Sequence, residues 1–351
     1  IAKALSKNAD LIIMDEPSAI LAGHELEQLF LIIESLKKSG VTIIYISHRL
    51  EEVFRIANEV TILKDGQLVG TKPIKDMSRG ELVKMMVGRT LEEVFPVSSN
   101  QPGTFVLQVD EISTKTILNQ VSFKLREGEI LGEAGMVGSG RTELARAIFG
   151  ADPLTSGTIK IKGHDVFFKN PADAIRNKIS LVPEDRKYHG LFTKLSILNN
   201  ITLPILNKIS RWGFTDKKKG NEIVERARQI HSIDMTSGNQ EVQDLSGGNQ
   251  QKVVLSKSLQ TIPEVIIMDE PTRGVDVGAK FDIYQLIRQL NKDGIAILMI
   301  SSELPEILGL SDRILVMREG KIVAELTPKE TTEEMIIEFA TTNTTVCAKK
   351  N

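Results

Sequence analysis

Short apolar runs alternate with stretches of helical spacing along the first part of the chain. The segments LIIMDE (11–16) and VTIIYIS (41–47) are strand-sized apolar runs bounded by turn residues. The stretch between them has the 3.6-residue apolar spacing of a helix and ends at Gly40; its apolar positions are Leu26, Leu29, Ile33 and Leu36. A strand, a crossover helix and a second strand predict a parallel sheet, and therefore an α/β fold.

Turn signals predict where neighbouring strands pair. The segments KDGQLVG (64–70) and REGKIVA (318–324) place a glycine beside alternating apolar residues, which is typical of a tight hairpin. The longer segment 121–150, VSFKLREGEILGEAGMVGSGRTELARAIFG, begins with an alternating strand. It predicts a hairpin at Glu127 and Gly128, then a second strand, a glycine-rich loop and a helix.

The chain contains an internal repeat. Residues 1–70 align without a gap with residues 255–324, and 19 of these positions are identical. The identities extend from the two Asp-Glu-Pro tripeptides to Gly66 and Gly320 near the end of the span. Identities spread over such a length indicate a duplicated domain rather than a chance likeness between two strands.

The repeat predicts an incomplete first copy followed by a complete second copy. Residues from about 105 to 254 have no counterpart before residue 1, and the chain does not begin with Met, so we expect a fragment of a longer protein. Pro, Ser, Asn, Gln and Gly are frequent between the copies, as in linkers. We predict a first copy over 1–95, a linker over 96–104, a second copy over 105–340 and a polar tail over 341–351.

Composition narrows the class of protein. The 351 residues are 41% hydrophobic and 26% charged, which is typical of globular domains. The formal net charge of −2 provides no basic field for nucleic acid, and we expect no nucleic-acid partner. Cys347 is the single cysteine, which excludes a disulfide framework and favours a reducing compartment. No apolar run approaches the ~20 residues that span a bilayer.

The segment GMVGSGRT (135–142) is close to the phosphate-loop pattern G-x-x-x-x-G-K-[ST]. In such a loop, backbone N–H groups and the following helix N-terminus converge on phosphate, and Thr142 is placed to hold Mg²⁺. Arg141 stands where the pattern has lysine, and a planar guanidinium does not replace a compact ammonium. A purely structural glycine turn is the alternative. The context of a strand, a loop and a helix favours a nucleotide loop with weakened hydrolysis.

Two acidic pairs and a serine-glycine segment could supply further chemistry. Asp15-Glu16 and Asp269-Glu270 each follow a buried strand, where one carboxylate suits Mg²⁺ and the next suits polarising a water. A charged pair at a surface turn is the alternative, which the recurrence of the pair weakens. In DLSGGNQQK (244–252), Ser246 at a helix N-cap followed by Gly247 and Gly248 exposes backbone amides to an anion.

These motifs together resemble the nucleotide-binding subunits of ATP-binding cassette (ABC) transporters, with LSGGNQQK as the signature and VIIMDEP as Walker B. Within that superfamily the chain is most similar to the duplicated-cassette proteins of bacterial monosaccharide importers. The narrower likeness depends on Arg141 in the second Walker A loop and on three further segments: VPEDRKYHGL (182–191), MVGRTLEEVFP (86–96) and SSELPEIL (301–308).

The resemblance implies a P-loop NTPase-like fold with ATP and Mg²⁺ as cofactors. The catalytic residues that it implies are Glu16, His48 and Glu270. The ATP-binding residues that it implies are Gly135, Gly138, Ser139, Gly140, Arg141, Thr142, Ser246, Gly247 and Gly248. The metal ligands that it implies are Asp15, Thr142, Glu184 and Asp269. In such cassette pairs each ATP lies between Walker A and B of one copy and the signature of the other.

Several positions depart from the family pattern. Ser302 stands where the first copy has the switch histidine His48, and serine cannot replace an imidazole at neutral pH. Glu184 replaces the usual glutamine, and Ala22 stands where the second copy has Asp276. Arg141 and Ser302 together predict unequal sites, the second biased toward binding ATP, and Ala22 argues against symmetric coupling of the two sites. Phe105 is a candidate adenine-stacking residue by position alone, and a core role is the alternative.

The resemblance implies an ATPase subunit that energises import of a monosaccharide through a separate membrane permease, served indirectly by a periplasmic or extracellular sugar-binding protein. It implies a peripheral location at the cytoplasmic face of the membrane. Segment 190–206 either docks that permease or belongs to the core of a small subdomain. The alternative function is a soluble twin-cassette ATPase acting on ribosomes, but those proteins carry a long charged linker that this sequence lacks. We expect the isolated fragment to be inactive.

Overall fold

The computed structural model of the chain describes residues 9–18, 23–47, 50–64, 66–87, 95, 100–211 and 214–342. Ala22, His48 and Cys347 lie outside the described residues, as does most of the predicted tail. Contacts divide the chain into a first unit, Ile1–Val94, and a second unit, Phe95–Asn351.

The first unit contains two pairs of strands and their helices. Its described elements are β1 (Leu11–Asp15), α1 (Gly23–Lys38), β2 (Thr42–Ile46), α2 (Leu50–Ile56), β3 (Glu59–Lys64), β4 (Gln67–Pro73) and α3 (Arg79–Val87). Strands β1 and β2 are parallel, with Leu11 opposite Thr42, and β3 and β4 form an antiparallel hairpin. The predicted strand, helix, strand and hairpin of the first copy are confirmed.

The second unit begins with an antiparallel layer and the strand that leads into the glycine loop. These elements are β5 (Phe105–Ser113), β6 (Val121–Arg126), β7 (Ile130–Gly135), α4 (Arg141–Ile148), β8 (Ser156–Ile161), β9 (His164–Val166), α5 (Pro171–Arg176) and β10 (Ile179–Val182). Strands β5, β6, β8 and β9 form one antiparallel sheet in the order β6-β5-β8-β9.

A helical segment follows, and then the part of the second unit that repeats the first. The helical segment consists of α6 (Ile197–Thr202), α7 (Leu206–Ile209), β11 (Ser210–Arg211), β12 (Phe214–Thr215), α8 (Lys217–His231) and α9 (Gly247–Leu259). The repeated part consists of β13 (Val265–Asp269), α10 (Val277–Lys292), β14 (Ala296–Ile300), α11 (Leu304–Leu310), β15 (Arg313–Arg318), β16 (Lys321–Leu326) and α12 (Glu333–Thr341).

The two units share register as well as sequence. Val265 lies opposite Ala296 in β13 and β14, and these positions are equivalent to Leu11 and Thr42 of the first unit. The hairpin β15–β16 has a bulge after Val316, and β3–β4 has one at the equivalent position. A bulge is a specific local irregularity, so its recurrence supports the duplication independently of residue identity.

The central sheet of the second unit corrects one prediction. Its order is β10-β13-β14-β7-β15-β16, in which only the pairing of β16 is antiparallel. Strand β7 therefore pairs with β14 and β15, whereas β6 pairs with β5 in the other sheet. The predicted hairpin at Glu127 and Gly128 is wrong, because the strand after this turn is buried on both faces and is used in the parallel sheet.

One face of the parallel strands has different surroundings in the two units. In the first unit this face includes exposed apolar side chains, namely Leu11, Ile13, Ile44 and Ile46. The equivalent side chains of the second unit belong to its main core together with helix α4; they are Val265, Ile267, Leu298 and Ile300. Helix α4, which follows the glycine loop, thus covers this face of β13 and β14 in the second unit.

Segment 190–206 contains both core and surface residues. Ile197, Ile201 and Ile205 are buried, whereas Phe192 and Leu203 are exposed. The buried isoleucines support a core role for part of this segment, and the docking of a permease by the segment stays a prediction. Among the described residues, no helix has the length and apolar character needed to cross a membrane.

Candidate functional site

The glycine loop connects β7 to α4 through residues with left-handed backbone. Gly138 and Gly140 have φ angles of 81° and 105°, which favour glycine. A Cβ atom on Gly135 would lie 2.4 Å from the Met317 carbonyl oxygen, so this position also requires glycine. The amide of Gly320 donates to the Ser139 carbonyl at 2.8 Å and fixes the loop against the β15–β16 turn. The backbone therefore has the form of a phosphate cradle at a helix N-terminus.

Buried oxygens beneath the loop fit a divalent cation. The Thr142 hydroxyl hydrogen-bonds the Asp269 carboxylate, whose Oδ1 is buried and has no hydrogen-bond partner among the described residues. The Ser139 Oγ is also buried, and it too has no hydrogen-bond partner among the described residues. Burial raises the pKa of Asp269, and the Thr142 hydrogen bond opposes that rise. A hydroxyl and one carboxylate, with phosphate and water completing the shell, is the ligand set that Mg²⁺ takes in nucleotide sites.

Arg141 is held inside its own unit. Its side chain is 9% exposed, and its Nη1 donates to the Ser301 carbonyl at 2.9 Å. Its Nη2 lies 4.0 Å from Oε1 of Glu270. A lysine at this position would extend toward the β- and γ-phosphates. The guanidinium instead joins the loop helix to the ends of β13 and β14.

Glu270 and Ser302 are brought together in this site. Glu270 has a φ angle of 49°, and its amide donates to the Ile300 carbonyl. Ser302 Oγ donates to Glu270 Oε2 at 3.0 Å. Burial raises the pKa of Glu270, while the hydrogen bonds from Ser302 and the charge of Arg141 act in the opposite direction. One carboxylate oxygen is thus occupied by Ser302 and the other faces Arg141.

The first unit repeats the backbone of this carboxylate turn. Glu16 has a φ angle of 42°, and its amide donates to the Ile46 carbonyl at 2.9 Å, as Glu270 does to Ile300. Asp15 and Glu16 are exposed in the first unit. The predicted switch residue His48 is outside the described residues, so its role stays a prediction.

Each unit has a buried glutamate whose role was not predicted from the sequence. Glu306 is 1% exposed and accepts hydrogen bonds from the hydroxyls of Thr272, Tyr284 (2.6 Å) and Ser301 (2.7 Å). The equivalent Glu52 accepts from the hydroxyls of Ser18, Tyr45 and Ser47 at 2.7, 2.8 and 2.9 Å. The identity of Glu52 and Glu306 in the repeat was the available signal. Each glutamate ties the turn after the acidic pair to the residue that precedes the switch position.

A second missed residue, Glu133, lies in β7 directly before the loop. Its side chain is fully buried, and neither carboxylate oxygen has a hydrogen-bond partner among the described residues. Burial raises the pKa of Glu133 well above the ordinary value, and the nearby Arg141 charge only partly opposes this. Nothing in the alternation of β7 identified this position, because the strand is buried on both faces.

The signature segment has the predicted cap. Ser246 is the N-cap of α9, and its side chain accepts from the Asn249 amide. A Cβ on Gly247 would lie 2.8 Å from the Gly274 carbonyl oxygen, and one on Gly248 would lie 2.3 Å from Ala279 Cβ. Both glycines therefore permit close backbone packing against the turn after Asp269 and Glu270 and against α10.

Glu184 and Asp276 both have partners near the turn after Asp269 and Glu270. Glu184, a predicted metal ligand, forms an ion pair with Arg273. Asp276, whose counterpart is Ala22, is the N-cap of α10 and accepts from the Ala279 amide at 2.9 Å. Alanine cannot supply such a cap. Glu184 and Asp276 thus organise the turn that follows the acidic pair.

Phe105 lies far from the glycine loop along its strand. It begins β5, and the Arg126 guanidinium lies 4.5 Å from its ring centroid. The other end of β5 leads to Asn119, whose amide donates to the Gly320 carbonyl beside the loop. Eight residues of strand separate the two ends, roughly 26 Å. This placement favours the structural role for Phe105.

Comparisons with known proteins identify the family of this chain. The family model described as ABC transporter matches residues 118–273, from just before β6 to the turn after Glu270. The ribose import ATP-binding protein RbsA of Bacillus licheniformis is 50% identical over 341 residues, which are 97% of this chain and 69% of that protein. The protein of the same name from Lactococcus lactis subsp. cremoris is 48% identical with the same coverage.

Solved structures show the same fold. A nucleotide-free ATP-binding cassette from an ABC transporter superposes with a TM-score of 0.58 at 23% identity, covering 68% of this chain and 96% of that one. The cassette MJ0796 in a post-hydrolysis state bound to ADP and Pi gives a TM-score of 0.55 at 22% identity, covering 63% of this chain and 98% of that one. The relatives give no support to the alternative of a ribosome-acting ATPase. The chain belongs to the ATP-binding subunits of ABC transporters, in the monosaccharide-importer type.

Proposed function

We propose that this protein binds Mg²⁺-ATP at the loop 135–142 and that its ATPase activity energises import of a monosaccharide of the ribose class. The observation that carries the nucleotide site is the half-buried Thr142 hydroxyl beside the buried Asp269 carboxylate, beneath a phosphate cradle. Asp269 Oδ1 has no hydrogen-bond partner among the described residues. The substrate class comes from the relatives, which are ribose import proteins at 46–50% identity.

The site residues of the second unit have distinct roles in this proposal. Thr142 and Asp269 would hold Mg²⁺, which neutralises phosphate charge when bound. The loop amides and the N-terminus of α4 bind phosphate oxygens. Glu270 is the carboxylate placed to orient a water, but Ser302 and Arg141 engage it from both sides. The second site therefore favours binding ATP over splitting it.

The partner in this proposal is a membrane permease. The segment after Glu184 offers exposed apolar side chains on the second unit, namely Tyr188, Phe192, Leu195 and Leu203. Their buried neighbours Ile197 and Ile201 fix this surface to the core. We propose that these side chains dock the permease, which places the protein at the cytoplasmic face of the membrane. A sugar-binding protein acts through that permease.

Fluorescence titration with the ATP analogue mant-ATP tests the nucleotide site. Wild-type protein should bind it more tightly with Mg²⁺ than with EDTA. Thr142→Val keeps the side-chain shape but removes the hydroxyl, so affinity in Mg²⁺ should fall about tenfold while affinity in EDTA is unchanged. Thr158→Val, at an exposed strand position, is the matched control and should behave as wild type. Equal loss in Mg²⁺ and EDTA would contradict the assigned role of Thr142.

A further inference from the structure

Phe95 is seated on the second unit. It belongs to the segment MVGRTLEEVFP that joins the two repeats. Its ring centroid lies 5.2 Å from that of Tyr284, with an angle of 30° between the ring planes. A Cβ atom on Gly309 would lie 2.5 Å from Phe95 Cγ and 2.6 Å from its Cδ1. The ring therefore occupies a notch that exists because position 309 has no side chain.

In the first unit, a side chain of that unit fills the equivalent space. Its residue at the position of Gly309 is Arg55, and its residue at the position of Tyr284 is Phe30. The Arg55 guanidinium lies 4.4 Å from the Phe30 ring centroid and forms two hydrogen bonds with Glu27, at 2.5 and 2.6 Å. In the second unit the arginine is replaced by glycine, and the space over the aromatic ring is taken by Phe95.

A continuous set of contacts leads from Phe95 to the glycine loop. Tyr284, which stacks on Phe95, is 4% exposed and donates its hydroxyl to Glu306 at 2.6 Å. Glu306 accepts from Ser301 Oγ at 2.7 Å, and the Ser301 carbonyl accepts from Arg141. Ser302, the next residue, donates to Glu270. Phe95 thus packs on Tyr284, whose hydroxyl hydrogen-bonds the buried Glu306 carboxylate next to Ser301.

We propose that Phe95 is a positioning residue for the nucleotide site of the second unit. It acts by holding Tyr284 against Glu306, which fixes Ser301 and, through its carbonyl, Arg141. Phe95 itself is then part of the arrangement that sets this site, whereas the first unit covers its own aromatic ring, Phe30, with Arg55. The inference builds on the proposed nucleotide site.

Hydrogen exchange and mant-ATP titration on the whole chain test this role together. Phe95→Ala should increase amide exchange at Ser301, Ser302 and Glu303 by about threefold or more and change the mant-ATP Kd by a similar factor. Phe95→Tyr keeps the ring and should restore both values to within about twofold of wild type. Phe168→Ala removes a comparably half-buried ring away from these contacts and should leave both readouts unchanged.

A double-mutant cycle separates positioning from general loosening. Tyr284→Phe keeps the ring beneath Phe95 but removes the hydroxyl that reaches Glu306. If Phe95 acts through that hydroxyl, Phe95→Ala should change exchange at residues 301–303 less in the Tyr284→Phe background than in wild type. Fully additive effects would overturn the proposal.

The remaining outcomes are also decisive. Unchanged exchange at residues 301–303 in Phe95→Ala would overturn the positioning role, whatever the Kd. Faster exchange there together with no mant-ATP binding by wild type would support the contact path and overturn the proposed nucleotide site instead. Gly309→Ala places a methyl group in the notch and should reproduce Phe95→Ala, which provides a second variant if the first is poorly folded.

Discussion

The Arg141 guanidinium lies 4.0 Å from the Glu270 carboxylate and donates to the Ser301 carbonyl at 2.9 Å. A residue of the phosphate loop is thereby tied to the carboxylate that would orient a water and to the strand end before Ser302. The Arg141 guanidinium therefore contacts residues of its own unit. This relationship explains in physical terms why the second site should retain ATP rather than split it.

Replacing Arg141 by lysine should release this tie. A lysine cannot make the same planar contacts, and its ammonium can reach phosphate instead. A charge-assisted hydrogen bond is worth about 1.5–3 kcal/mol, so Arg141→Lys should tighten mant-ATP binding by about tenfold or more. Arg146→Lys, in the same helix and paired with the half-buried Asp152, is the control and should leave the Kd unchanged. A Kd unaffected by Arg141→Lys would show that the guanidinium already contacts phosphate.

The two acidic pairs should differ in importance for uptake. Removing a general base typically costs about 10²–10⁴ in rate, so Glu16→Gln should abolish ribose uptake in cells that depend on this protein. Ser302→Ala removes one exposed hydrogen bond to Glu270 and should change uptake by less than about twofold. Radiolabelled ribose uptake measures both variants. Comparable losses from both would contradict the unequal roles of the sites.

Glu133 should make stability depend on pH. Burial raises its pKa above the ordinary 4.5, so the folded state keeps a proton that the unfolded state loses as pH rises. The stability of wild type should therefore fall relative to Glu133→Gln from pH 5 upward, by up to about 1.4 kcal/mol per pH unit until the folded pKa is reached. Urea unfolding at pH 5.5, 6.5 and 7.5 measures the difference.

The control for this series is the exposed Glu222 of α8, whose change to Gln should give a difference from wild type that is independent of pH. A constant difference between wild type and Glu133→Gln across the same pH range would mean that Glu133 is ionised in the folded protein. It would then require a cationic partner.

The sequence predicted the repeated elements well because their signals are local. The strand pairs, the hairpins and the Ser246 cap follow from apolar period and turn chemistry, and the repeat provided two readings of each strand. The hairpin at Glu127 and Gly128 was predicted wrongly because two strands adjacent in sequence joined different sheets. Which strands pair at long range is decided by the whole core, and no local pattern encodes it.

The sequence indicated the motifs of the site but not the long-range contacts that its residues make. Residues 135–142, Asp269 and Glu270 could be named as candidates because phosphate chemistry demands specific spacings. The burial of Glu133, the ion pair of Glu184 and the seat of Phe95 were not, because each depends on a partner distant in sequence. Phe95 shows this most clearly, since only the absence of a side chain at Gly309 makes room for it.

The fate of nucleotide bound at residues 135–142 tests the central claim most directly. Protein in excess is mixed with a limiting amount of [γ-³²P]ATP and Mg²⁺, and bound label is followed over time. The structure predicts that the label stays with the protein as intact ATP, in wild type and in Glu270→Gln alike. Prompt release of labelled phosphate by wild type, absent in Glu270→Gln, would contradict it.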